Sequence, residues 1–585
     1  MCGIAGIFYK KDLPLSTIKR NLDLFKQVLI HRGPDDCGEY IAGNFGVAHL
    51  RLSIVDIKGG HQPIFNEDKS IGIVYNGEVY NYNELREGLK ERKHNFYTNT
   101  DTEVILKAYE EHGTESFNKL KGMFAFCIWD NRRDVAYLVR DHFGIKPLYI
   151  YNDDKQIIFS SELKGILAVP DLDLSLDPIG FQDYLTFRYI QAPYTFFRKI
   201  RRLEAGTYLK IKEGSAIQYR YWDLSYNDPY PQPELDQVKD NILDKLKKSV
   251  NSQLMGEVPV GVMLSGGIDS STIAFFVHAL GANLKTFNIG FPEVNEFQYS
   301  RKVAESLGLQ HIEVLITTDD LIQNFAKINF ALDEPIADPA CLPLYLLCKE
   351  IKNNVTVVLS GEGGDEVFGG YPQYTHVLNS DISYSARFQT FLERSWYFTN
   401  SLEMLNNKHI PSSTLRYGKY FEEQPLLNGM LAYDMKTWMS ENLMMKADKI
   451  LMSNSLEGRF PFLDKDLFEY VAYLPQSYKI NKKRTMKWLL KEVMSAYLPE
   501  SIIKRPKMGF TVPVDLLLSK MKPIVIETIN NSSVSPLSEV LNIGHIKKLI
   551  CNYYQGKSNI SALQVWTLFV MIYWFINSFR EYRNV

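Results

Sequence analysis

The chain has 585 residues, which is too long for one hydrophobic core and predicts two or more domains. Charged residues make up 23% of it and apolar residues 45%, an ordinary globular balance. The formal net charge of -2 gives no electrostatic case for nucleic acid or an anionic membrane, so we expect neither partner.

The six cysteines indicate a reducing compartment, because they lack the paired short spacing of a disulfide framework or a zinc site. The N-terminus lacks a charged-then-apolar signal segment. One apolar stretch, 562–579, has about the length of a membrane span, but Gln564, Thr567 and Asn577 interrupt it. We therefore expect a core helix there and a soluble, cytoplasmic protein.

A cysteine directly follows the initiator methionine. If Met1 is removed, the thiol of Cys2 stands beside its own α-amino group, whose pKa of about 8 suits a general base. Nucleophile and base then share one residue, as in N-terminal nucleophile hydrolases. A strand that merely contains a cysteine is the alternative for this residue taken alone.

Four segments follow Cys2 in a fixed order. They are HRGPDD at 31–36, RLSIVD at 51–56, YNGEVYN at 75–81 and TDTE at 100–103. Together with Cys2 they resemble the class II glutamine amidotransferase domain. Taken singly, Thr100 with Glu103 is typical of a helix capping box, Asn76-Gly77 of a hairpin turn, and Arg51 of a surface charge. The ordered set favours the glutaminase interpretation.

The resemblance implies a pocket for glutamine, a zwitterion with an amide end. Arg51 would hold the α-carboxylate, as a planar bidentate donor can, and Asp101 and Glu78 would receive the α-ammonium. Asn76 and the backbone N–H of Gly77 would stabilise the oxyanion that forms when the thiol attacks. The other predicted glutamine-binding residues are Leu52, Ser53, Ile54 and Val55.

The domain boundary is predicted at 226–235, where three prolines stand among polar residues. We therefore expect a glutaminase domain at 1–210 and a second domain at 236–585. Two further segments, 140–148 and 160–164, also match the amidotransferase family, and we interpret them as domain packing and interface.

After this boundary, strands alternate with helices, which predicts a parallel sheet with helices on both faces. The apolar run 260–264 breaks at Ser265-Gly266-Gly267 and continues into helix-forming residues, and ligands bind at such carboxyl ends of strands. A helix N-terminus with adjacent glycines suits a phosphate. The lysine of a Walker loop is missing and Asp269 follows instead, which suits a phosphate carried with Mg²⁺. An ordinary glycine turn is the alternative.

The string SGGIDS at 265–270 resembles the pyrophosphate loop of ATP-pyrophosphatases, and SGEGGDE at 360–366 resembles that family's second signature loop. The resemblance implies that Asp269 and Asp365 ligate Mg²⁺ and that Glu362 is needed to form the acyl-adenylate. Lys487 is predicted to offset the charge of departing pyrophosphate, with a solvated helix lysine as the alternative. The predicted ATP contacts are Leu264, Ser265, Gly266, Gly267, Asp269, Ser270, Ile289, Ser360 and Gly361.

The whole order of motifs resembles glutamine-dependent asparagine synthetases. It implies an N-terminal α+β N-terminal-nucleophile glutaminase domain, then a doubly wound α/β ATP-pyrophosphatase domain with a helical C-terminal part. It also implies glutamine, ATP and aspartate as substrates, Mg²⁺ as cofactor and a homodimer.

Two alternatives to asparagine synthesis stay open. The stretch 333–343 lacks the threonine- and arginine-containing pattern of well-characterised members, so another carboxylate, such as a sugar uronic acid, is an alternative acceptor. A non-catalytic sensor of glutamine or nucleotide is the other. Against the sensor stands the joint presence of Cys2, Asp269, Asp365 and Lys487.

Overall fold

The computed structural model describes residues 2–11, 13–226, 232–380, 383–395, 398, 401–407, 416–422, 424–509, 511–557 and 559–584. Twelve strands lie before the predicted boundary: β1 Cys2–Tyr9, β2 Asp36–Ala42, β3 Phe45–Arg51, β4 Ile64–Phe65, β5 Ile71–Val79, β6 Gly122–Asp130, β7 Val135–Arg140, β8 Tyr149–Asn152, β9 Gln156–Ser160, β10 Ile200–Arg202, β11 Thr207–Lys212 and β12 Ser215–Arg220. The α-helices of this half are α1 Leu15–Leu29, α2 Tyr82–Glu91, α3 Asp101–His112, α4 Leu163–Leu167 and α5 Pro178–Phe187.

These strands form two antiparallel six-stranded sheets, in the orders β10-β8-β9-β1-β3-β2 and β12-β11-β7-β6-β5-β4. The sheets pack face to face, since Ile4 and Val47 of the first share an apolar cluster with Val74 and Leu138 of the second. The strands that carry Cys2, Arg51 and the Asn76-Gly77 pair, β1, β3 and β5, are interior to their sheets. The site residues therefore start from well-supported backbone.

The second half is built from five strands and twenty α-helices in the described residues. The strands are β13 Val260–Met263, β14 Lys285–Gly290, β15 His311–Leu315, β16 Val357–Leu359 and β17 Glu457–Arg459. The helices are α6 Leu235–Ser252, α7 Ile268–Ala279, α8 Phe297–Ser306, α9 Thr318–Ala331, α10 Cys341–Lys352, α11 Gly364–Phe368, α12 Pro372–Leu378, α13 Tyr384–Ser395, α14 Lys419–Glu422, α15 Leu426–Asp434, α16 Met444–Ser453, α17 Lys465–Tyr473, α18 Gln476–Lys479, α19 Trp488–Met494, α20 Glu500–Ile503, α21 Val514–Lys520, α22 Lys522–Asn530, α23 Ile543–Tyr554, α24 Ala562–Ile576 and α25 Ser578–Arg583. A π-helical stretch, Met435–Leu443, joins α15 to α16.

The five strands form one parallel sheet in the order β15-β14-β13-β16-β17. Because β13 and β16 are neighbours and parallel, the loops that follow them leave the same edge of the sheet. The predicted fold class, an α+β N-terminal half followed by an α/β half with a helical C-terminal part, is confirmed. Of the predicted linker 226–235, residues 227–231 lie outside the described residues, and the domain boundaries stay predictions.

The apolar stretch near the C-terminus forms α24, which begins with a capping box at Ser561. In the described chain, one helical stretch, Ala562–Arg583, is long and apolar enough to cross a membrane, and 72% of its most apolar window is buried. Its aromatic side chains pack on other elements; Phe575, for example, stacks on Phe181 of α5. It is thus the core helix expected from the sequence.

Candidate active sites

Cys2 is the first residue of β1 and lies opposite Arg51 of β3 in the sheet. Its side chain is buried, and its backbone nitrogen donates a hydrogen bond to Asn76 Oδ1 at 2.9 Å. Burial raises the pKa of the Cys2 thiol, while the guanidinium of Arg51 acts to lower that pKa. A buried thiol of this kind needs an adjacent base to become a nucleophile.

Asn76 and Gly77 lie inside β5, opposite Ala125 and Phe124 of β6, so the hairpin-turn alternative for this pair is wrong. Asn76 Nδ2 is buried and has no hydrogen-bond partner within the described ranges. At Gly77, a Cβ would meet the carbonyl oxygen of Met123 at 2.1 Å, so only glycine fits. The strand therefore keeps an unused amide donor beside Cys2, which is what an oxyanion hole requires.

The two predicted acids of the glutamine pocket are both buried. Asp101 begins α3, and its Oδ2 accepts hydrogen bonds from the Tyr75 hydroxyl at 2.7 Å and the Val79 N–H at 2.9 Å. Glu78 Oε2 has no hydrogen-bond partner in the part of the chain described. Burial raises the pKa of Glu78 well above its ordinary value. An arriving ammonium would favour ionisation of this carboxyl.

The helix cap that the sequence predicted at Thr100 is present. Its hydroxyl accepts a hydrogen bond from the Glu103 N–H at 3.1 Å. The Glu103 carboxylate does not return to the Thr100 backbone; it accepts from Tyr97 N–H and Thr98 N–H instead. The cap and the acid at Asp101 are therefore parts of one arrangement, since the cap starts the helix that presents the acid.

Arg51 is buried, so the surface-charge alternative is wrong. Its guanidinium donates to the carbonyl oxygens of Val55 at 3.1 Å, Asp56 at 2.7 Å and Ile57 at 3.1 Å. A Cβ at Gly60 would meet Arg51 Nη2 at 2.2 Å. The following loop thus wraps closely around this cation.

One small cavity gathers most of the predicted glutamine-binding residues. It is lined by Cys2, Arg51, Leu52, Ile54, Val55, Gly60, Gln62, Tyr75, Gly77, Glu78, Thr100, Asp101 and Thr102. Ser53 lies instead on a neighbouring cavity, where its N–H donates to Asp35 Oδ2 at 2.8 Å. Gly60, Gln62 and Tyr75 were missed; Tyr75 stood within a quoted motif, whereas Gln62 lay between motifs.

The loop after β13 is organised by its two serines. Ser265 Oγ and Ser270 Oγ lie 3.1 Å apart, and the Gly267 N–H donates to Ser265 Oγ at 3.3 Å. Gly266 has a φ of +74°, and a Cβ there would meet the Ser300 nitrogen at 2.5 Å. The hydroxyls and N–H groups at the start of α7 form an anion-binding concavity.

The loops after β13 and β16 are in contact. A Cβ at Gly361 would meet the Ser270 nitrogen at 2.7 Å. Lys487 Nζ lies 2.5 Å from Asp269 Oδ2 and 2.6 Å from Asp365 Oδ1, so one ammonium joins both predicted metal ligands. Lys487 is 4% exposed, and the solvated-lysine alternative is therefore wrong.

The charges around these carboxylates are strongly coupled. Burial opposes ionisation of Asp365, but Lys487 and Lys507 together lower its pKa. Burial raises the pKa of Asp269 even though Lys487 acts to lower it. Arg505 is ion-paired with Glu296 and donates to the Ser265 carbonyl at 3.3 Å. Arg505 and Lys507 stand in the segment RPKMGF at 505–510, of which residue 510 lies outside the described residues.

The residues fit a divalent cation that is shared with phosphates. Asp269 and Asp365 are both within reach of a single ammonium, and buried Asp269 Oδ1 has no hydrogen-bond partner in the described ranges. Those ranges contain no group of three or more His, Cys, Asp or Glu side chains suited to a metal. Mg²⁺ commonly takes one or two carboxylates and completes its shell with phosphate oxygens and water.

The remaining predicted nucleotide contacts lie at the same sheet edge. The Leu264 N–H donates to the Phe287 carbonyl at 2.8 Å, and Ile289 lies further along β14. The Ser360 N–H donates to the Arg459 carbonyl at 2.9 Å. This edge therefore presents apolar side chains beside the glycine loops, as an adenosine site requires.

A cluster that sequence patterns did not reveal lies around Glu362. Lys446 Nζ is 2.9 Å from Asp338 Oδ2. Although burial acts in the other direction, Lys446 and Arg188 lower the pKa of Asp338 to about 2. Burial raises the pKa of Glu362. Lys446 stands in α16 without any motif around it, which is why it was missed.

The two halves meet through buried ion pairs. Arg140 and Arg202 both reach Glu441, at 3.3 and 2.7 Å, and Lys146 lies 3.3 Å from Asp448. Arg140 and Lys146 belong to the segment 140–148, which the sequence predicted as interface. The other segment predicted as interface, 160–164, also contacts the second half, since the backbone N–H of Lys164 donates a hydrogen bond to Asp333 Oδ1 at 2.6 Å.

Known proteins resemble this chain over nearly its whole length. The asparagine synthase family matches residues 241–576 and the glutamine amidotransferase domain matches residues 1–222. Glutamine-hydrolysing asparagine synthetase 1 of Bacillus subtilis strain 168 is 34% identical over 98% of this chain and 96% of its own. Asparagine synthetase B of Escherichia coli K12 is 31% identical over 87% of this chain and 82% of its own.

Among solved structures, the glutamine phosphoribosylpyrophosphate amidotransferase from B. subtilis in complex with ADP and GMP has a TM-score of 0.30 and 16% identity. It covers 53% of this chain and 65% of its own, and so distant a likeness carries no argument.

Proposed function

The chain belongs to the asparagine synthase family, and we propose that its two sites divide one reaction between them. It is an ATP-dependent, glutamine-hydrolysing ligase that makes asparagine. In our proposal the cavity at Cys2 releases ammonia from glutamine, and the loops after β13 and β16 activate aspartate with ATP. The observation that carries this division is the meeting of Asp269 and Asp365 on the Lys487 ammonium, far from the Cys2 cavity in the sequence.

The glutaminase step rests on Cys2 as the mature first residue. The α-amino nitrogen donates one hydrogen to Asn76 Oδ1 and keeps its lone pair to accept the thiol proton. The sulfur then attacks the amide carbon of glutamine, and Asn76 Nδ2 and the Gly77 N–H stabilise the oxyanion. The amino group returns the proton to the departing ammonia, and water hydrolyses the thioester to glutamate.

Glutamine is held by its charged end. Arg51 faces the α-carboxylate, and Leu52, Ile54 and Val55 form the adjoining wall. Asp101 and Glu78 receive the α-ammonium. Burial raises the pKa of Glu78, and the positive charge of the ligand's ammonium lowers the cost of ionising this carboxyl. A neutral amide without the α-ammonium would not provide that compensation.

At the nucleotide loops, Asp269 and Asp365 would hold Mg²⁺, which when bound neutralises charge on the ATP phosphates. Ser265, Gly267 and Ser270 would cradle the pyrophosphate, while Leu264, Gly266, Ile289, Ser360 and Gly361 border the adenosine. Lys487 would exchange its carboxylate partners for a phosphate oxygen and offset charge on the departing pyrophosphate. The aspartate side-chain carboxylate attacks the α-phosphorus, and ammonia then displaces AMP. Glu362 stands beside this reaction and is proposed to be needed for adenylate formation.

The acceptor pocket is proposed at Glu362, Lys446, Asp338 and Arg188. Lys446 and Arg188 offer positive charge to a carboxylate, whereas the ionised Asp338 offers negative charge to an ammonium. Aspartate carries both groups. A uronic acid has no ammonium for Asp338, so the cluster favours an amino acid.

The acceptor is tested by supplying ATP, Mg²⁺ and ammonia with a panel of carboxylic acids and measuring pyrophosphate. Aspartate is expected to release pyrophosphate and a uronic acid is expected to release none. The reverse result would replace aspartate by the sugar acid. If every acid failed while ATP still bound, the sensor alternative would stand.

Two further properties follow from the family resemblance. A homodimer is proposed, which the molar mass measured by light scattering in solution tests. A cytoplasmic location is proposed as well, in keeping with six cysteines that are all free thiols. Cell fractionation tests that location.

A further inference from the structure

One arginine of the synthetase half reaches the glutamine pocket of the other half. Arg459 ends β17 and is fully buried, and its Nη2 lies 3.8 Å from Glu78 Oε1. We propose that Arg459 is a positioning residue for glutamine binding, which orients Glu78 toward the α-ammonium and so completes the pocket from the synthetase half. The inference rests on the proposed glutamine site.

The guanidinium is held entirely by its own half. Its Nε donates to Glu457 Oε1 at 2.6 Å, and its Nη1 donates to the carbonyl oxygens of Gln253 at 2.7 Å and Met255 at 2.5 Å. Nη2 makes no hydrogen bond within the described residues and faces Glu78. Because three hydrogen bonds fix the planar guanidinium, the direction in which Nη2 points is set before glutamine binds.

The carboxyl group of Glu78, which faces Arg459 Nη2, also has an atom without a hydrogen-bond partner among the residues described. Glu78 Oε2 is buried and lacks a hydrogen-bond partner in the described part of the chain. A buried guanidinium and a buried carboxyl group thus face each other across the boundary between the halves, each with unused hydrogen-bonding capacity. A shift of about 1 Å would convert the 3.8 Å approach into a direct hydrogen bond of ordinary length.

A second contact joins the same two regions. Gly256 has a φ of +123°, and a Cβ there would meet Ile54 Cγ2 at 3.0 Å. The Glu257 N–H donates to the Ile54 carbonyl at 2.9 Å, and Glu257 Oε1 accepts from the Asp56 N–H at 2.9 Å. The segment that Arg459 anchors through Met255 therefore also holds the loop that carries the predicted glutamine-binding residues.

The backbone of Arg459 connects this arrangement to the nucleotide site. Arg459 pairs with Leu359 in the parallel sheet, and its carbonyl accepts a hydrogen bond from the Ser360 N–H at 2.9 Å. Ser360 begins the second nucleotide loop. A single residue thus contacts that loop through its carbonyl and the glutamine pocket through its guanidinium.

Several charged groups face Glu78, and the sign of each predicts the direction in which the pKa of Glu78 moves when that group is removed. After burial itself, Glu457 and Asp101 raise the pKa of Glu78, whereas Arg459 and the amino terminus lower it. The hydroxyls of Tyr75 and Tyr80 also lie near it. Glu78 must be ionised to receive an ammonium, so its pKa contributes to the acidic limb of the pH profile for glutamine hydrolysis.

The test compares Arg459→Met with Glu457→Gln in a glutaminase assay that measures glutamate release. Arg459→Met removes the positive charge at similar length, so KM for glutamine is expected to rise about ten-fold with a much smaller change in kcat. The acidic limb of the kcat/KM profile of Arg459→Met should move to higher pH, because Arg459 lowers the pKa of Glu78 and its removal raises that pKa. Glu457→Gln removes a neighbouring negative charge and moves the limb to lower pH. General loosening of the interface would not shift the two variants in opposite directions.

Arg202→Lys is the matched control, because Arg202 is another buried arginine at the contact between the halves and pairs with Glu334 and Glu441. It is expected to leave KM for glutamine unchanged. If Arg459→Met does not fold, Glu457→Gln and the exposed Glu257→Ala carry the test, the latter with an expected rise in KM of about three-fold.

An unchanged KM and pH profile in Arg459→Met, or limbs that move in the same direction in both variants, overturns the inference. Wild-type glutamine hydrolysis that survives Cys2→Ala would instead remove the proposed glutamine site itself. The two failures are therefore distinguishable.

Discussion

The glutamine pocket and the nucleotide loops hold their charged groups in opposite ways. In the glutamine pocket, Arg51 is bound by backbone carbonyls and Asp101 by a hydroxyl and a backbone N–H. At the nucleotide loops, Lys487 is bound by Asp269 and Asp365. One site keeps its charges apart on fixed dipoles, whereas the other lets its charges neutralise each other.

This difference matches the ligands. A zwitterion such as glutamine has no net charge and needs partners already in place, so that little is lost in ordering them. A polyanion with Mg²⁺ replaces existing partners: the cation takes the carboxylates and the phosphates take the ammonium groups. Paired charges avoid the cost of isolated buried charges until that exchange.

The largest expected effect separates the two sites completely. Cys2→Ala removes the nucleophile, so glutamine-dependent synthesis should fall by more than about 10³-fold, while synthesis from added ammonia continues. Asparagine formation with each nitrogen source measures this. Cys127→Ala, at another buried cysteine, is the control and should retain both activities. Loss of both activities in Cys2→Ala would undercut the two-site scheme.

The next effect tests the exchange of partners at the nucleotide loops. Asp365→Asn removes a carboxylate that balances Lys487 and Lys507, so pyrophosphate release should fall by about 10²–10³-fold while glutamate release persists. Asp319→Asn is a suitable control, because that exposed acid pairs with Lys520 at the surface, away from the nucleotide loops. Unchanged synthesis in Asp365→Asn would refute the proposed metal role.

A smaller effect is expected in the acceptor cluster. Lys446→Met leaves Asp338 without its ammonium, so KM for aspartate should rise about ten-fold, with glutaminase activity unaffected. Lys446→Arg keeps the charge and should recover part of the affinity. Initial rates at varied aspartate, with ammonia as nitrogen source, measure both. An unaltered KM would move the acceptor away from this cluster.

The smallest effect tests how far the glutamine pocket is preformed. Thr100→Ala removes the cap of the helix that presents Asp101 and should cost about 1 kcal/mol of unfolding free energy. KM for glutamine should rise modestly, by about two- to three-fold. Thr317→Ala removes a comparable cap at α9, away from the pocket, and serves as the control. It should show a similar stability loss and no change in KM.

Short sequence motifs predicted many of the residues of both sites. Cys2, the Asn76-Gly77 pair and the serines of the loop after β13 carry their chemistry in residues that are adjacent in the chain. The structure places these residues where backbone N–H groups, hydroxyls and glycine contacts match the expected use. The alternation of predicted strands with predicted helices also indicated the parallel sheet, because the hydrophobic periodicity of each element is a local property of the sequence.

Other expectations needed the packing. The pair Asn76-Gly77 is also typical of a hairpin turn, and only the pairing of β5 with β6 excludes that turn. The sequence around Lys487 is equally compatible with a lysine on the surface, and only the burial of Lys487 between two loops excludes that alternative. Ser53 shared a motif with Arg51 but does not line the cavity that Leu52, Ile54 and Val55 line, and its N–H donates to Asp35 Oδ2 on the neighbouring cavity.

The amino-acid sequence by itself determined the family and predicted Cys2 and the two glycine loops as site residues, since each prediction depends on residue types at short spacing. Only the tertiary structure decided which charges meet. Lys446 reaches Asp338 and Arg459 reaches Glu78 across long stretches of chain, and the neighbouring residues in sequence do not show which partner either of them meets. The physical reason is that strand order and helix packing bring distant side chains together, and an ion pair depends on that final distance alone.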